Sequence, residues 1–86
     1  MYIVEKEIRV YGTWWCGDCR RVRRYFDRNQ IRYSWVDIDK DQSGEAFVLD
    51  TNHGMRSVPT IVFSDGSILV EPSERELEQW FGSRSG

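Results

Sequence analysis

The sequence contains few of the residues that cross-link a fold or fill a metal site. Its 86 residues include two cysteines, two prolines and one histidine. Two cysteines are too few for the disulfide framework of a small secreted domain. One histidine and one cysteine pair also cannot supply the four ligands of a closed zinc site within a single chain.

Long apolar runs and a strong excess of charge are absent as well. No segment approaches the ~20 apolar residues that span a bilayer, and no apolar run behind basic residues resembles a targeting signal. We therefore expect a cytoplasmic protein. Twelve Lys and Arg against 14 Asp and Glu leave a formal charge of −2, so neither nucleic acid nor a membrane is expected as a partner. The length predicts one domain, at 1–82, with a flexible tail at 83–86, and we expect a monomer.

Hydrophobic residues make up 40% of the chain, which predicts a packed core. Alternation over 7–12 indicates a strand, and apolar residues at three- and four-residue steps over 16–29 indicate an amphipathic helix. Segment 33–39 has strand composition. A second helix is predicted at 41–53, with Ala46 and Phe47 facing inward and Gly54 near its end.

The second half of the chain predicts a hairpin and a final helix. Asp65-Gly66 lies between two β-rich runs, a strong hairpin pattern. Ser73 and Glu76 form a capping box ahead of Leu77, Trp80 and Phe81. The order βαβαββα predicts an α/β fold with a four-stranded mixed sheet flanked by three helices. A CxxC motif where the first strand meets the first helix is typical of thioredoxin-like redox proteins.

The two cysteines in "TWWCGDCRR" are the candidate catalytic residues. Cys16 is predicted over the first helical turn, where unpaired N–H groups favour a thiolate, so it suits the role of nucleophile. Cys19, one turn further on, suits the role of resolving thiol. Gly17 permits close backbone approach, while Asp18 places a negative charge beside the sulfur. Two alternatives are a pair of buried apolar residues and an iron–sulfur cluster shared by two chains.

Pro59 is unusual because it lies between β-branched residues just before a strand. A cis Val58-Pro59 bond would aim the backbone of Val58 at an incoming peptide or thiol, although trans bonds predominate in folded proteins.

Several aromatic and basic side chains lie close to the cysteines in sequence. Trp15 is expected to flank a substrate groove, and Trp14 either flanks it or packs, whereas Trp35 and Trp80 are expected in the core. Arg20 and Arg23 are nearest the thiols and could steer an anionic substrate.

The segments "YGTWWCGDCRR", "SVPTIVFSDGS" and "EPSERELEQ" together resemble the glutaredoxins, particularly the mycoredoxin-like bacterial branch. The resemblance implies a thioredoxin-fold enzyme that reduces protein disulfides, or mixed disulfides with low-molecular-weight thiols. It implies Cys16 as nucleophile, Cys19 as resolver and Pro59 in the cis form. It also implies that Val58 pairs with the thiol through its backbone and that Arg56 binds a carboxylate; the further candidate contacts are Thr13, Trp15, Gly17, Asp18 and Ser73.

The chain also departs from many glutathione-using members. Those members have Pro-Tyr between the cysteines and a Gly-Gly plus Asp motif before the last helix. This chain has Gly17-Asp18 and Glu71-Pro72-Ser73. The departures therefore leave the thiol co-substrate open among glutathione, mycothiol and a similar thiol. We expect no bound cofactor, and a thioredoxin-type reductase is the alternative electron donor. A redox-silent adaptor that only holds partners is the remaining alternative.

Overall fold

The computed structural model describes residues 7–84, the last two by their backbone. Seven elements follow one another in the predicted order, which confirms the α/β class. They are β1 (Ile8–Gly12), α1 (Gly17–Arg28), β2 (Tyr33–Asp37), α2 (Gln42–Thr51), β3 (Thr60–Val62), β4 (Ile68–Val70) and α3 (Glu74–Arg84).

The four strands form one mixed sheet in the order β2-β1-β3-β4. β1 is parallel to β2 and antiparallel to β3, so Val10 faces Trp35 on one side and Ile61 on the other. A parallel pair needs a crossover connection, which α1 supplies. β1 is therefore an interior strand, and the loop after it leads directly to the two cysteines.

Both faces of β1 are covered by other parts of the protein. Alternate side chains of the strand therefore enter two different apolar clusters, and neither face is left to solvent. Val10 contributes to one cluster and Tyr11 to the other. The larger cluster holds the buried residues Val10, Val22, Tyr25, Phe26, Ile61, Phe63 and Leu77. The smaller one holds Tyr11, Ile38, Val48 and Val62. This arrangement places the start of α1 at the edge of a well-packed sheet.

The helix α1 agrees with its prediction to within one residue at each end. Cys16 is its N-cap and Asn29 its C-cap. The apolar residues at three- and four-residue steps that predicted this helix are buried: they are Cys19, Val22, Tyr25 and Phe26. The apolar face thus fixes the helix on the sheet and leaves most of its arginines outside.

The helix α2 corrects one prediction. Ala46 is exposed, whereas Gly44 and Val48 are buried and Phe47 stacks on Tyr11 with ring centroids 4.7 Å apart. The reason is geometric: positions 44, 47 and 48 share one helix face, and position 46 lies outside it. Beyond the C-cap, Gly54 has φ +85° and donates its N–H to the Leu49 carbonyl at 2.6 Å, as expected for a glycine at a helix end.

The hairpin and the capping box are confirmed. Gly66 adopts φ +90° between β3 and β4. Ser73 Oγ accepts from the Glu76 N–H at 3.1 Å, and the Ser73 N–H donates to Glu76 Oε1 at 2.8 Å. Leu77 is buried, and Trp80 and Phe81 pack against the larger cluster.

α3 continues to residue 84, two residues past the predicted end of the domain at 82. The last two residues of the predicted tail, 85 and 86, lie outside the described residues. Within the described chain, every helix is too short or too polar to cross a membrane.

Candidate active site

The sulfur of the first cysteine accepts a backbone hydrogen bond at the start of α1. Cys16 has an extended backbone, φ −81° and ψ 123°, and caps α1 with its side chain. Its Sγ accepts from the Cys19 N–H at 3.4 Å. A sulfur at this position meets the positive end of the helix dipole, and it is partly exposed. The first cysteine is therefore both accessible and in a place that favours an anion.

The segment before β3 lies across from this sulfur. The Val58-Pro59 bond is cis, as the resemblance implied, and Pro59 is buried. Cys16 Sγ is 4.0 Å from the Val58 carbonyl oxygen. The structure thus brings Cys16 and Val58 together although 42 residues separate them in sequence.

Cys19 lies behind Cys16 and is fully buried. Burial is the main cause that raises the pKa of the Cys19 thiol to about 12; a backbone hydrogen bond from Thr13 opposes it, and Cys16 adds to it. The absence of a side chain at Gly12 makes room, because a Cβ there would lie 2.6 Å from Cys19 Sγ. The second thiol is therefore held protonated at neutral pH.

The negative charge of Asp18 is already paired. Arg21 Nη1 donates to Asp18 Oδ1 at 2.8 Å, and Arg21 Nη2 donates to the Pro72 carbonyl at 3.4 Å. This arginine therefore connects the start of α1 to the loop that leads into α3. Ser73, the next residue in that loop, uses its hydroxyl to cap α3.

Trp15 and Arg56 both donate hydrogen bonds to one carboxylate, that of Asp39. Trp15 is 67% exposed and donates its Nε1–H to Asp39 Oδ2 at 2.8 Å. Arg56 donates from Nη2 to Asp39 Oδ1 and from Nε to Glu45 Oε2, the latter at 2.8 Å. Arg56 first, and Trp15 second, lower the pKa of Asp39. The guanidinium expected to bind a substrate carboxylate is thus occupied by two internal ones.

The Arg23 guanidinium lies over two indole rings that also contact each other, with ring centroids 5.1 Å apart. The Arg23 guanidinium carbon lies 3.9 Å from the Trp14 ring centroid and 4.5 Å from that of Trp35. Such contacts stabilise by about 0.5–1 kcal/mol at exposed sites. Trp35 is partly buried against the larger core cluster, in line with its predicted packing role, while Trp14 is half exposed.

Two of the candidate contact residues differ sharply in accessibility. Thr13 is fully buried, and its hydroxyl has no hydrogen-bond partner among the described residues. Its carbonyl accepts from the Cys16 N–H at 3.5 Å, so it shapes the loop rather than the surface. Gly17 is exposed, and a Cβ built on it would meet nothing within 4 Å.

Sequence reasoning missed Asp39 and Glu45, the carboxylates that bind Arg56. Asp39 could have been found, because it follows β2 as Trp15 follows β1. The carboxyl ends of parallel neighbours meet at one edge of a sheet. Glu45 lies 11 residues from Arg56, and the pair depends on how α2 packs. Between residues 7 and 84, no group of three or more His, Cys, Asp or Glu side chains is placed to hold a metal ion.

Comparison with known proteins agrees with this geometry. A profile of the glutaredoxin family matches residues 8–68. A Mycobacterium tuberculosis protein provisionally named a glutaredoxin is 38% identical over 88% of this chain and 90% of its own length. Mycoredoxin 1 of Corynebacterium glutamicum is 33% identical over 81% of this chain and 86% of its own length.

The fold agrees with a solved structure as well. The crystal structure of a mutant of a thioredoxin-like protein superposes with a TM-score of 0.77 at 27% identity, covering 90% of this chain and 96% of that one. The family profile covers most of the chain, and two relatives exceed 30% identity over more than four fifths of it. The chain belongs to the glutaredoxin family and resembles the mycoredoxins within it.

Proposed function

We propose that this protein is a thiol-disulfide oxidoreductase that reduces protein disulfides, or mixed disulfides with low-molecular-weight thiols, through Cys16 and Cys19. One observation carries the proposal. Cys16 Sγ is partly exposed, accepts the Cys19 N–H at the start of α1, and has the buried Cys19 behind it. Membership of the glutaredoxin family supports the reaction type.

In the first step the Cys16 thiolate attacks one sulfur of a substrate disulfide. The substrate S–S bond breaks, a new bond joins Cys16 to that sulfur, and the other substrate sulfur leaves as a thiolate that takes a proton from water. The helix terminus stabilises the attacking anion in the free protein. The exposed side of Cys16 and the backbone of Val58 provide the surface on which the substrate lies.

In the second step Cys19 attacks Cys16 Sγ. The mixed disulfide breaks, the remaining substrate sulfur leaves as a thiol, and a Cys16–Cys19 disulfide forms. The proton of Cys19 is transferred to the leaving sulfur. Two electrons have then passed from the protein to the substrate. Two molecules of a small thiol, of the class of glutathione or mycothiol, restore the dithiol and become a disulfide themselves, or a thioredoxin-type reductase supplies the electrons.

The high pKa of Cys19 fits its role in the second step. A protonated, buried thiol does not compete with Cys16 for the substrate, so the first attack is directed to one sulfur. Cys19 becomes reactive when a mixed disulfide on Cys16 provides a leaving thiolate that accepts its proton. The burial of Cys19 therefore supports Cys16 as the thiol that attacks first and Cys19 as the thiol that attacks second.

The remaining candidate residues are proposed to bind or orient the substrate. Val58 offers backbone groups next to Cys16, and Pro59 holds that segment in place. Trp15 is proposed to offer an exposed apolar surface to the substrate on one side of Cys16. Gly17, Asp18 and Ser73 are proposed to contact the substrate on the other side. Cytoplasmic location and a monomeric state stay predictions of the sequence.

The dithiol mechanism is tested with two cysteine variants. Cys19→Ser, incubated with an oxidised substrate, is expected to accumulate a mixed disulfide on Cys16 that mass spectrometry detects and a reductant removes. Cys16→Ser is the matched control, because it retains one thiol and should form no adduct. An adduct on Cys19 in that variant, or none in Cys19→Ser, would contradict the proposed roles.

The electron donor is tested by turnover. Oxidised protein is offered glutathione, mycothiol or a thioredoxin reductase system, and reduction of a small mixed disulfide is followed for the wild type and for Cys19→Ser. Activity of Cys19→Ser with one thiol shows that a monothiol route suffices with that thiol. Loss of activity shows that the dithiol route dominates.

A further inference from the structure

The hydrogen bonds of Arg56 gather two carboxylates and the indole of Trp15, the residue before Cys16, into one group. The guanidinium uses two of its nitrogens internally, Nε to Glu45 and Nη2 to Asp39. The second oxygen of Asp39 accepts from Trp15. These four side chains, Trp15, Asp39, Glu45 and Arg56, are called the Arg56 network below.

Two members of the Arg56 network are close in sequence to the two residues that meet at the reacting sulfur. Trp15 directly precedes Cys16 in the chain. Arg56 lies two residues before Val58, whose carbonyl oxygen is 4.0 Å from Cys16 Sγ. A substrate that lies along Val58 while its sulfur meets Cys16 therefore passes next to this network.

The charge of the network is negative although it contains an arginine. One guanidinium against two carboxylates leaves one net negative charge. The side chains of Arg56, Asp39 and Glu45 are between 35% and 39% exposed, so a substrate can sense them. Asp39 and Glu45 take up Nε–H and one Nη2–H of Arg56, so a substrate carboxylate could reach only the remaining N–H groups and would lie beside two negative charges there.

We propose that Asp39 and Glu45 are specificity-determining residues that occupy Arg56 and thereby disfavour substrates carrying a carboxylate near the reacting disulfide. The inference rests on the proposed function, since it concerns the substrate choice of the same site. Neutral or cationic disulfides meet no repulsion from the Arg56 network. Replacing one of the two carboxylates by its neutral amide makes the network neutral, so that an anionic substrate no longer meets a net negative charge beside Arg56.

The test uses three small disulfides of similar size and different charge. They are 3,3′-dithiodipropionate, which is anionic, bis(2-hydroxyethyl) disulfide, which is neutral, and cystamine, which is cationic. Prereduced protein is mixed with each at low ionic strength, and the second-order rate constant of Cys16 oxidation is measured. This single-turnover reaction needs no assumption about the electron donor.

The Glu45→Gln variant is expected to increase the ratio of the anionic to the neutral rate constant by roughly three- to tenfold, because one elementary charge within several ångströms changes affinity by about this factor in water. The cationic to neutral ratio should fall. Both changes should be smaller in 0.5 M salt, because the Debye length is then only about 4 Å and screens charges that are further apart. Asp39→Asn should shift the ratios in the same direction.

Asp27→Asn provides the matched control. Asp27 is exposed and lies 11 residues after Cys16 on the same helix, about 16 Å along its axis. The same change of net charge at that position should leave the ratios unaltered.

Two results would overturn the inference: unchanged ratios in both Glu45→Gln and Asp39→Asn, or an equal shift in Asp27→Asn, which would indicate an effect of total charge. Failure of the proposed function has a different signature. In that case wild-type protein would not react with the neutral disulfide at all, whereas here the wild type reacts and only the ratios stay constant.

Discussion

The contact between Gly12 and Cys19 shows how little room the buried thiol has. A Cβ on Gly12 would lie 2.6 Å from Cys19 Sγ and 2.8 Å from Trp35 Cη2. Neither atom can move away easily, because Cys19 is fully buried and Trp35 packs against the core. The absence of a side chain at position 12 is therefore a condition for placing Cys19 behind Cys16.

The Gly12→Ala variant is expected to lower the free energy of unfolding by about 1–3 kcal/mol, the usual cost of extra atoms in a well-packed interior. Urea denaturation measures the change. Gly17→Ala serves as the control, since a Cβ there meets nothing within 4 Å. A loss in Gly12→Ala no larger than in Gly17→Ala would contradict the packing argument.

The protonation of Cys19 gives a second prediction for a single residue. Burial raises the pKa of this thiol to about 12 from its ordinary value of 9.0. In Cys16→Ser the contributions of Cys16 to this raised pKa are lost, but burial, the largest cause, remains, so Cys19 should still ionise above its ordinary pKa of 9.0. The NMR chemical shift of its ¹³C-labelled Cβ, followed against pH, measures this ionisation without requiring access of a reagent. Urea-unfolded protein should instead show a midpoint near pH 9. A folded-state midpoint near 9 would disprove the effect of burial.

At the scale of secondary-structure elements, α3 depends on its cap. Ser73→Ala removes the acceptor for the Glu76 N–H and should lower the free energy of unfolding by about 1 kcal/mol. Thermal or urea unfolding measures it. Ser64→Ala, at an exposed position between β3 and β4, should change stability by less than about 0.5 kcal/mol. Equal losses in the two variants would argue against the capping box.

Features set by residues that are close together in the chain could be predicted from the sequence. Contacts between elements that are far apart in the chain could not. The capping box joins Ser73 and Glu76, three residues apart, and the turn at Asp65-Gly66 needs only its own glycine. The cysteine pair also lies within one helical turn. These features depend on spacing alone, so the sequence pattern determines them.

Pairs formed across the fold need the packing of several elements. Arg56 was expected to face a substrate, but its position next to Asp39 follows from how the loop before β3 lies against the loop after β2. The outward position of Ala46 depends in the same way on the rotation of α2 against Tyr11. A helical pattern with few apolar residues does not fix that rotation.

At the scale of the whole molecule, two acidic groups link stability to alkaline pH. Burial, with the hydrogen bond to Glu78 as the next cause, raises the pKa of Tyr25 to about 12 from 10.0. Cys19 has a raised pKa as well. The unfolded chain would release these protons at about pH 9–10, while the folded protein retains them. Between pH 9 and 12 the folded state therefore binds more protons, and its stability falls as the pH rises.

The free energy of unfolding, measured by urea titration at several pH values, should be nearly independent of these two groups below pH 9 and should decrease from pH 9 to 12. Tyr25→Phe loses the hydrogen bond to Glu78, which is 2.6 Å long, and should be less stable at pH 8. Between pH 10 and 12 the free energy of unfolding of Tyr25→Phe should also decrease less steeply than that of the wild type. The two slopes should differ by up to about 1.4 kcal/mol per pH unit. Parallel pH profiles for wild type and variant would refute the assignment to Tyr25.

The interior position of β1 also bears on how the protein is made. Val10 pairs with Trp35 on one side and with Ile61 on the other, so a nascent chain that has emerged only as far as α2 exposes one edge of its central strand. Unpaired edges favour association with other chains. The cysteines emerge early, but Val58, which faces Cys16, arrives with the strand that covers this edge. Completion of the chain through β3 therefore brings Val58 to Cys16 and covers the open edge of β1 in one step.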